Sequence, residues 1–445
     1  MLIEVSTGEV IDKYNILEIK KERITNPDKL IEIQTELDAL AACKVTINKY
    51  KTLYKLLGII NRDIWDLSNI VKGLDVGADC DKYASVSKCI FDLNQKRFRI
   101  KNHFNLISCS GLKEQKSYSP DICRVIIPAD FNIYTKLAEL NYLFISYDNV
   151  IIDCPNPAIY NNIKTIFNNP AIINPDSLPG IGVKAVVYLN DYNLSKDDKL
   201  KYDMEPVTYI AGGLLGDFIQ QLSVINEVYL ATGRKGILYI ANIGDTFRMG
   251  LETAYKDTYE LVSRQPYIAE YKIYNGEPGI EVDLSAWRKS RLLFKTSWYE
   301  IFKSVYKVEW GTHPWLTGID TDGSWANKIV INTTEHRFTN HIDYREILNK
   351  YGTENCIYVS FNNAEYEGFK ARTGITGITR YVPASLMELA VIINSCKLFI
   401  GSLSAPLSIA HAIYKQRIMG LYTQRDGCIN HVTGLETILP GMTVI

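Results

Sequence analysis

Several features that mark specialised classes of protein are missing from this sequence of 445 residues. No apolar run approaches the roughly 18 residues that a membrane-spanning helix needs. Basic and acidic residues nearly balance, 49 against 50, so the net charge of −1 leaves no electrostatic footprint for nucleic acid or an anionic membrane. The first ten residues carry acids and lack a basic segment followed by an apolar core, so we expect no secretory signal peptide.

Paired cysteines and metal-ligand spacings are missing as well. The nine cysteines are an odd number without any CxxC pair, which favours reduced thiols and a cytoplasmic location over a disulfide framework or zinc ribbon. The six histidines show no HExxH or similar spacing, so we expect no metal cofactor. A content of 47% hydrophobic and 22% charged residues is typical of a globular protein, and the length allows two or three domains of about 150 residues.

The most informative stretch runs from Val207 to Tyr229. An apolar segment typical of a buried strand leads into Gly212, Gly213 and Gly216, and a helical pattern begins at Asp217. A strand, glycine turn and helix aim free N–H groups and the positive end of a helix dipole into a crevice. A carboxylate at this helix start is favoured in its ionised form, as a general base requires. The alternative is that Asp217 only caps the helix and the glycines only form a turn, since their spacing is not GxGxxG.

Residues 1–118 are predicted to be helical. Ser6 and Glu9 fit a capping box for a helix ending near Ile24, and Asp28 can cap a long second helix. That second helix carries apolar residues at every seventh position, Ile33, Leu40, Ile47 and Tyr54. Lysines interrupt the alternate seam at positions 44 and 51, so a helical hairpin is favoured over a coiled-coil dimer, with homo-oligomerisation through these helices left open. Two further helices are predicted, at 62–72 and 82–104.

The opening residues Gly8–Lys13 and the motif Lys113–Tyr118 resemble a family of small uncharacterised bacterial and phage proteins. This resemblance implies no activity. The charged side chains of the first helix are interpreted as caps and i,i+4 pairs on a solvated face rather than as a site: Glu9, Asp12, Lys13, Glu18 and Lys20.

After residue 119, strands and helices alternate, which indicates parallel α/β structure. We predict strands at 124–128, 150–154, 171–173 and 184–189, with helices at 132–140 and 158–167. Residues 119–200 form either a small unit of their own or extra strands of the next sheet, and 190–205 are predicted to be a surface connection. A further strand is expected at 236–241.

Residues 242–318 alternate less clearly and contain four tryptophans: Trp287, Trp298, Trp310 and Trp315. Such rings can contact sugars, but burial in a core is the commoner role. The segment Asp320–Ser324 contains D-x-D, yet the rest of a calcium loop is missing, so a turn is predicted.

The C-terminal part repeats the α/β pattern, with strands predicted at 329–332, 357–360 and 397–400 and a helix at 386–395. Ser404 can cap another helix, on which Ser408 and His411 share its face. Polar residues therefore gather at the carboxyl ends of successive strands, where open α/β sheets bind ligands.

Two motifs resemble glycosyltransferases of the two-lobed (GT-B) heptosyltransferase type. Gly213–Asp217 is similar to the Gly-Leu-Gly-Asp turn of the first lobe, and Phe399–Ala410 to the Gly-Asn-Asp-Ser-Gly-Pro-x-His segment of the second. Three positions depart from the second motif: Leu403, Ala405 and Ser408 stand where the family has Asp, Gly and His. The resemblance covers about 205–445 and implies two Rossmann-like lobes after the helical domain.

The resemblance also implies roles for individual residues. Asp217 would deprotonate an acceptor hydroxyl, and the helix beginning at Ser404 would hold the donor diphosphate through its N–H groups. Arg337 would stabilise the charge of the leaving group. The remaining residues expected around the donor are Thr334, Glu365, Ser402 and Ser408, with Gly401 in the loop. As alternatives, Arg337 forms a surface ion pair, Glu365 is solvated, Ser404 only caps its helix, and His411 only packs against the lobe.

The sequence therefore predicts domains at 1–118 (helical), 119–318 (acceptor-side α/β lobe) and 319–445 (nucleotide-sugar-side α/β lobe). The predicted activity is metal-independent transfer of a sugar from a nucleotide diphosphate sugar to an unknown acceptor on a glycan, lipid or protein. The alternative is a binding or scaffolding protein on a degenerate glycosyltransferase fold; a dinucleotide oxidoreductase is disfavoured by the glycine spacing. The activity requires that the loops before Phe218 and Ile409 face each other across a cleft.

Overall fold

The computed structural model describes residues 4–75, 77–112, 120–173, 182–293, 295–338, 342–415, 417–420 and 442–444; for 336, 418–420 and 442–444 it describes the backbone alone. The motif at Lys113–Tyr118 lies outside the described residues. The chain divides into two compact units, Met1–Glu205 with Ala231–Gly233, and Pro206–Leu230 with Arg234–Ile445.

The first unit begins with helices: α1 (Thr7–Arg23), α2 (Pro27–Ala39), α3 (Lys44–Lys49), α4 (Lys51–Lys72) and α5 (Cys80–Ile107). The predicted cap of α1 is confirmed, because the Ser6 hydroxyl accepts from the Glu9 N–H at 3.3 Å. The prediction of a single long second helix is wrong, because the structure has the three helices α2, α3 and α4 there. Between α3 and α4, Tyr50 is not helical, with φ −124° and ψ 50°. The N-cap of α2 is Asn26, with Pro27 at the first helical position, rather than Asp28.

The predicted solvated face of α1 is wrong for Asp12. Its carboxylate is 3% exposed and is held by the Arg97 guanidinium from α5, with a further hydrogen bond of 3.0 Å from the Asn61 amide of α4. Lys13 does reach solvent, but it pairs with Glu36 on α2 rather than along its own helix. The apolar core of this region lies beside these polar contacts and includes Ile11, Leu57 and Phe104.

The same unit contains a four-stranded parallel sheet in the order β3-β2-β1-β4. Its elements are β1 (Ile122–Ile126), α6 (Leu137–Ser146), β2 (Asn149–Asp153), α7 (Pro157–Phe167), β3 (Ile172–Ile173), β4 (Ala185–Tyr188) and α8 (Lys196–Tyr202). The strands within 119–200 thus form a sheet of their own. The polar segment 190–205 is not only a connection, because α8 forms there and buries Tyr202.

The second unit contains two more parallel sheets. The first has the order β7-β6-β5-β8, and its elements are β5 (Val207–Gly212), α9 (Leu215–Thr232), β6 (Gly236–Ala241), α10 (Leu251–Ser263), β7 (Ile268–Ile273), β8 (Val282–Asp283) and α11 (Trp298–Tyr306). The rings of Trp298 and Phe302 on α11 stack, and Trp287 and Trp310 pack against Phe302 with tilted rings. The aromatic cluster is a core, as the commoner alternative predicted.

The second sheet of this unit has the order β11-β10-β9-β12-β13-β14. Its elements are β9 (Ile329–Asn332), α12 (Tyr344–Tyr351), β10 (Cys356–Val359), α13 (Asn363–Thr373), β11 (Thr379–Tyr381), α14 (Leu386–Ser395), β12 (Leu398–Ser402), α15 (Ala405–Ala412), β13 (Arg417–Gly420) and β14 (Met442–Val444). Both orders place the first strand beside the fourth, which is the Rossmann arrangement. The predicted α/β class, with two Rossmann-like lobes after a helical N-terminal region, is confirmed.

Candidate functional site

One wall of the candidate site is built where β5 ends. A Cβ at Gly212 would lie 2.1 Å from the Ala241 carbonyl, so only glycine lets β5 run this close to β6. Gly213 then turns the chain at φ +104°, a region that favours glycine. These two residues place Asp217 in the first turn of α9, where the N–H groups of a helix have no partner within the helix.

Asp217 is paired with Arg288, a residue that the sequence analysis missed. The Arg288 Nη2 donates to Asp217 Oδ2, and both side chains are 22% exposed. Arg288 follows the two-residue strand β8, which lies beside β5 and so delivers the guanidinium to the end of that strand. No sequence pattern marks such a short strand, so Arg288 carried no detectable signal.

The protonation of Asp217 differs from the expectation for a helix start. Burial raises the pKa of the Asp217 carboxyl above its ordinary value, and the charges of Arg288 and Arg337 oppose that rise. Desolvation therefore outweighs the two cations. A raised pKa makes the carboxylate a stronger base once it is ionised, which suits proton abstraction.

The opposite wall is built at the ends of β9 and β12. The buried Ser402 hydroxyl accepts from the Thr334 N–H at 2.9 Å, which joins the loops after these two strands. The Arg337 guanidinium donates to the Leu403 carbonyl and so lies along the same loop. Ser402 thus shapes this wall from behind and does not line the cleft.

The start of α15 is open. The Ser404 hydroxyl turns back to the Ser402 carbonyl at 3.1 Å and makes no cap hydrogen bond, so the alternative that Ser404 only caps its helix is not what the structure shows. Pro406 has no N–H, which leaves the amides of Ala405 and Leu407 as donors in the first turn. An uncapped helix start of this kind is suited to bind an anion.

The two walls face each other, as the sequence analysis required. A Cβ at Gly216 would lie 3.1 Å from Ser408 Oγ and 3.4 Å from the Ala405 nitrogen. They enclose a cleft of about 290 Å³. From the predicted set, the residues lining it are Gly216, Asp217, Thr334, Arg337, Ser404 and Ser408.

The remaining predicted residues lie elsewhere. Gly212, Gly213, Gly401 and Ser402 are in the backbone behind the walls, where a Cβ at Gly401 would meet the Phe399 ring at 2.5 Å. Glu365 lies on α13 outside the lining; burial raises the pKa of its carboxyl, and the nearby Arg380 opposes that rise. Its backbone carbonyl accepts a hydrogen bond from the Tyr358 hydroxyl.

The cleft also contains residues that no motif indicated. The Nε2 atom of Gln220, one turn after Asp217, lies 3.2 Å from His411 Nδ1. His411, for which packing against its own lobe was the alternative, therefore contacts α9 and also lines the cleft. An apolar surface is added by Phe247, Met249, Ala254 and Trp298. Within the described residues, no cluster of three or more His, Cys, Asp or Glu side chains could hold a metal ion, and no helix has the length and apolar character to cross a membrane. Metal independence stays a prediction.

Comparison with known proteins gives two kinds of match. A family of unknown function (DUF6165) matches residues 1–139, in agreement with the resemblance of the N-terminal motif. No curated protein matches the chain. Similar solved structures include a glycosyl transferase family 9 protein from Veillonella parvula, at 11% identity and a TM-score of 0.33, covering 55% of this chain and 88% of that one.

Two other similar structures are from Escherichia coli. The iron-containing dodecameric glycosyltransferase TibC is 12% identical with a TM-score of 0.31, covering 49% of this chain and 58% of that one. Heptosyltransferase WaaC with ADP-2-deoxy-2-fluoro heptose is 12% identical with a TM-score of 0.22, covering 66% and 88%. These glycosyltransferases are what the chain is similar to; at such identities and TM-scores the likeness carries no information on substrate or mechanism.

Proposed function

We propose that this protein transfers a sugar from a nucleotide diphosphate sugar to an acceptor hydroxyl, with Asp217 as the general base. The observation that carries the proposal is the placement of the Asp217 carboxylate opposite the open start of α15, in one cleft between two Rossmann-like sheets. An anion site facing a base is the minimum arrangement for displacing a diphosphate by a hydroxyl.

In the proposed reaction the Ala405 and Leu407 amides hold the donor diphosphate, with Arg337 beside them. The acceptor hydroxyl donates its proton to Asp217 as its oxygen attacks the anomeric carbon. The new carbon–oxygen bond forms while the bond from that carbon to the diphosphate oxygen breaks. The electron pair leaves with the nucleotide diphosphate, whose charge the helix start and Arg337 stabilise.

The test is release of nucleotide diphosphate from UDP-, ADP- and GDP-hexoses by purified protein with a mixture of acceptors. Asp217→Asn keeps the shape of the side chain and removes the base, and we expect turnover to fall about 10²- to 10⁴-fold. Asp320→Asn is the control, because the Asp320 side chain is 82% exposed and lies outside the lining of the cleft. Equal release by wild type and Asp217→Asn would reject the assigned base.

A binding protein without transferase activity is the second candidate. Leu403 favours it, since an apolar side chain that is 5% exposed lines the cleft where the resembling family has an acid. A thermal-shift screen separates the two. Stabilisation by ADP or UDP with no release from any donor would support binding alone, whereas release that depends on Asp217 would support transfer.

A further inference from the structure

Arg288 occupies a slot that the surrounding backbone leaves open for it. A Cβ at Gly213 would lie 2.5 Å from Arg288 Nη2, and a Cβ at Gly244 would lie 2.8 Å from its Cδ. Both glycines have positive φ, +104° and +72°. The Trp287 ring lies 4.7 Å from the guanidinium carbon and covers one of its faces. Two loops and one aromatic ring thus hold one side chain in place.

In this position Arg288 donates a hydrogen bond to one carboxylate oxygen of Asp217, the candidate base. Nη2 donates to Asp217 Oδ2, and within the described part of the chain Oδ1 has no hydrogen-bond partner. A base oriented through one atom and open at another is the arrangement expected when a neighbour positions the group that takes the proton. The other charged groups that act on Asp217 are Arg337, after β9, and Asp245, after β6.

We propose that Arg288 is a positioning residue, which holds the Asp217 carboxylate ionised and directs Oδ1 toward the acceptor hydroxyl. This role rests on the proposed transferase function. Arg288 follows β8, which pairs with β5. The strand order of the sheet reverses between these two strands, and ligands of Rossmann-like sheets bind at such a point. Arg288 touches the base and has no assigned contact with the reacting atoms.

The direct test is the titration of Asp217 in variants of Arg288. Arg288→Met removes the nearest cation while burial remains, so the pKa of Asp217 should rise by about one unit or more. Arg288→Lys keeps the charge and should restore most of the wild-type value. The measurement is carbon NMR of protein labelled at the aspartate carboxyl, with the Asp217 signal assigned by its loss in Asp217→Asn. In the transfer assay, the acid limb of kcat/KM should move to higher pH by the same amount.

Two glycine variants provide a matched pair that leaves Arg288 itself intact. Gly244→Ala places a methyl against the Arg288 side chain. Gly250→Ala, in the same loop at φ +87°, meets no atom within 4 Å. Both variants strain the backbone at positive φ, so a shift of the Asp217 titration in Gly244→Ala alone would report displacement of Arg288.

The outcomes separate the two claims. An unshifted Asp217 titration in Arg288→Met, or equal titrations in the two glycine variants, would overturn the role of Arg288 even if sugar transfer is observed. A titration that depends on Arg288 in a protein that transfers no sugar would overturn the proposed function while retaining the pairing. A shifted titration together with a shifted acid limb would support both.

Discussion

Gly216→Ala should weaken nucleotide diphosphate binding without destabilising the protein. Gly216 lies in the first turn of α9 without positive φ, so alanine fits its backbone. The added methyl would lie 3.4 Å from the Ala405 nitrogen. A phosphate oxygen bound to that N–H sits about 2.8 Å from the same nitrogen, so the methyl and the oxygen compete for space.

The substitution is expected to weaken ligand binding but not to lower the free energy of unfolding. Loss of one hydrogen bond to a charged group costs about 1.5–3 kcal/mol, which is roughly a tenfold to hundredfold rise in Kd. Alanine in place of a helical glycine stabilises by up to about 1 kcal/mol, reduced here by the 3.1 Å approach of the methyl to Ser408 Oγ. Binding should therefore fall while unfolding stability is kept or rises.

The assay is calorimetric titration with ADP and UDP, together with urea unfolding. Gly368→Ala is the control, because Gly368 lies inside helix α13 and a methyl there meets no atom within 4 Å. It should show the helix stabilisation with unchanged Kd. A Gly216→Ala protein that binds ADP and UDP as wild type does would refute the assignment of the Ala405 amide to phosphate.

Two further predictions concern charges away from the anion site. Asp12→Ala should cost about 3 kcal/mol in urea unfolding, because it removes a buried carboxylate that accepts hydrogen bonds from Arg97 and Asn61. Lys13→Ala, at an exposed neighbour on α1, should change stability by about 0.5 kcal/mol or less, and equal losses in the two variants would show that the contacts of Asp12 are not specially stabilising. Burial raises the pKa of the Glu227 carboxyl, and the nearby His313 opposes that rise. The native state therefore keeps the carboxyl proton above pH 4.5, where the unfolded chain loses it. Wild type should therefore lose stability relative to Glu227→Gln as pH rises from 4.5 until the native carboxyl has ionised, and a difference in Tm that stays constant with pH would contradict this.

The sequence pattern correctly predicted helices and strands whose formation depends mainly on residues close together in the chain. The predicted bounds of β6, β9 and α14 are those of the structure, because each is a dense apolar segment between polar residues or glycine. Prediction failed where segments are short or depend on distant partners. The strand β8 has two residues and exists only because β5 pairs with it. The helices α2, α3 and α4 lie where one long helix was expected.

The candidate site divides in the same way. Sequence alone located Asp217, the glycine turn before it and the open start of α15, since a strand, turn and helix place residues by spacing along one segment. Only the tertiary structure decided that Ser402 is buried behind the wall, that Glu365 lies outside the cleft and that Arg288 pairs with the base. The contacts that decide the site join distant residues: the separation is 71 between Arg288 and Asp217 and 68 between Thr334 and Ser402. The same burial set the direction of the Asp217 pKa shift, because loss of water around a carboxylate depends on every chain segment that surrounds it.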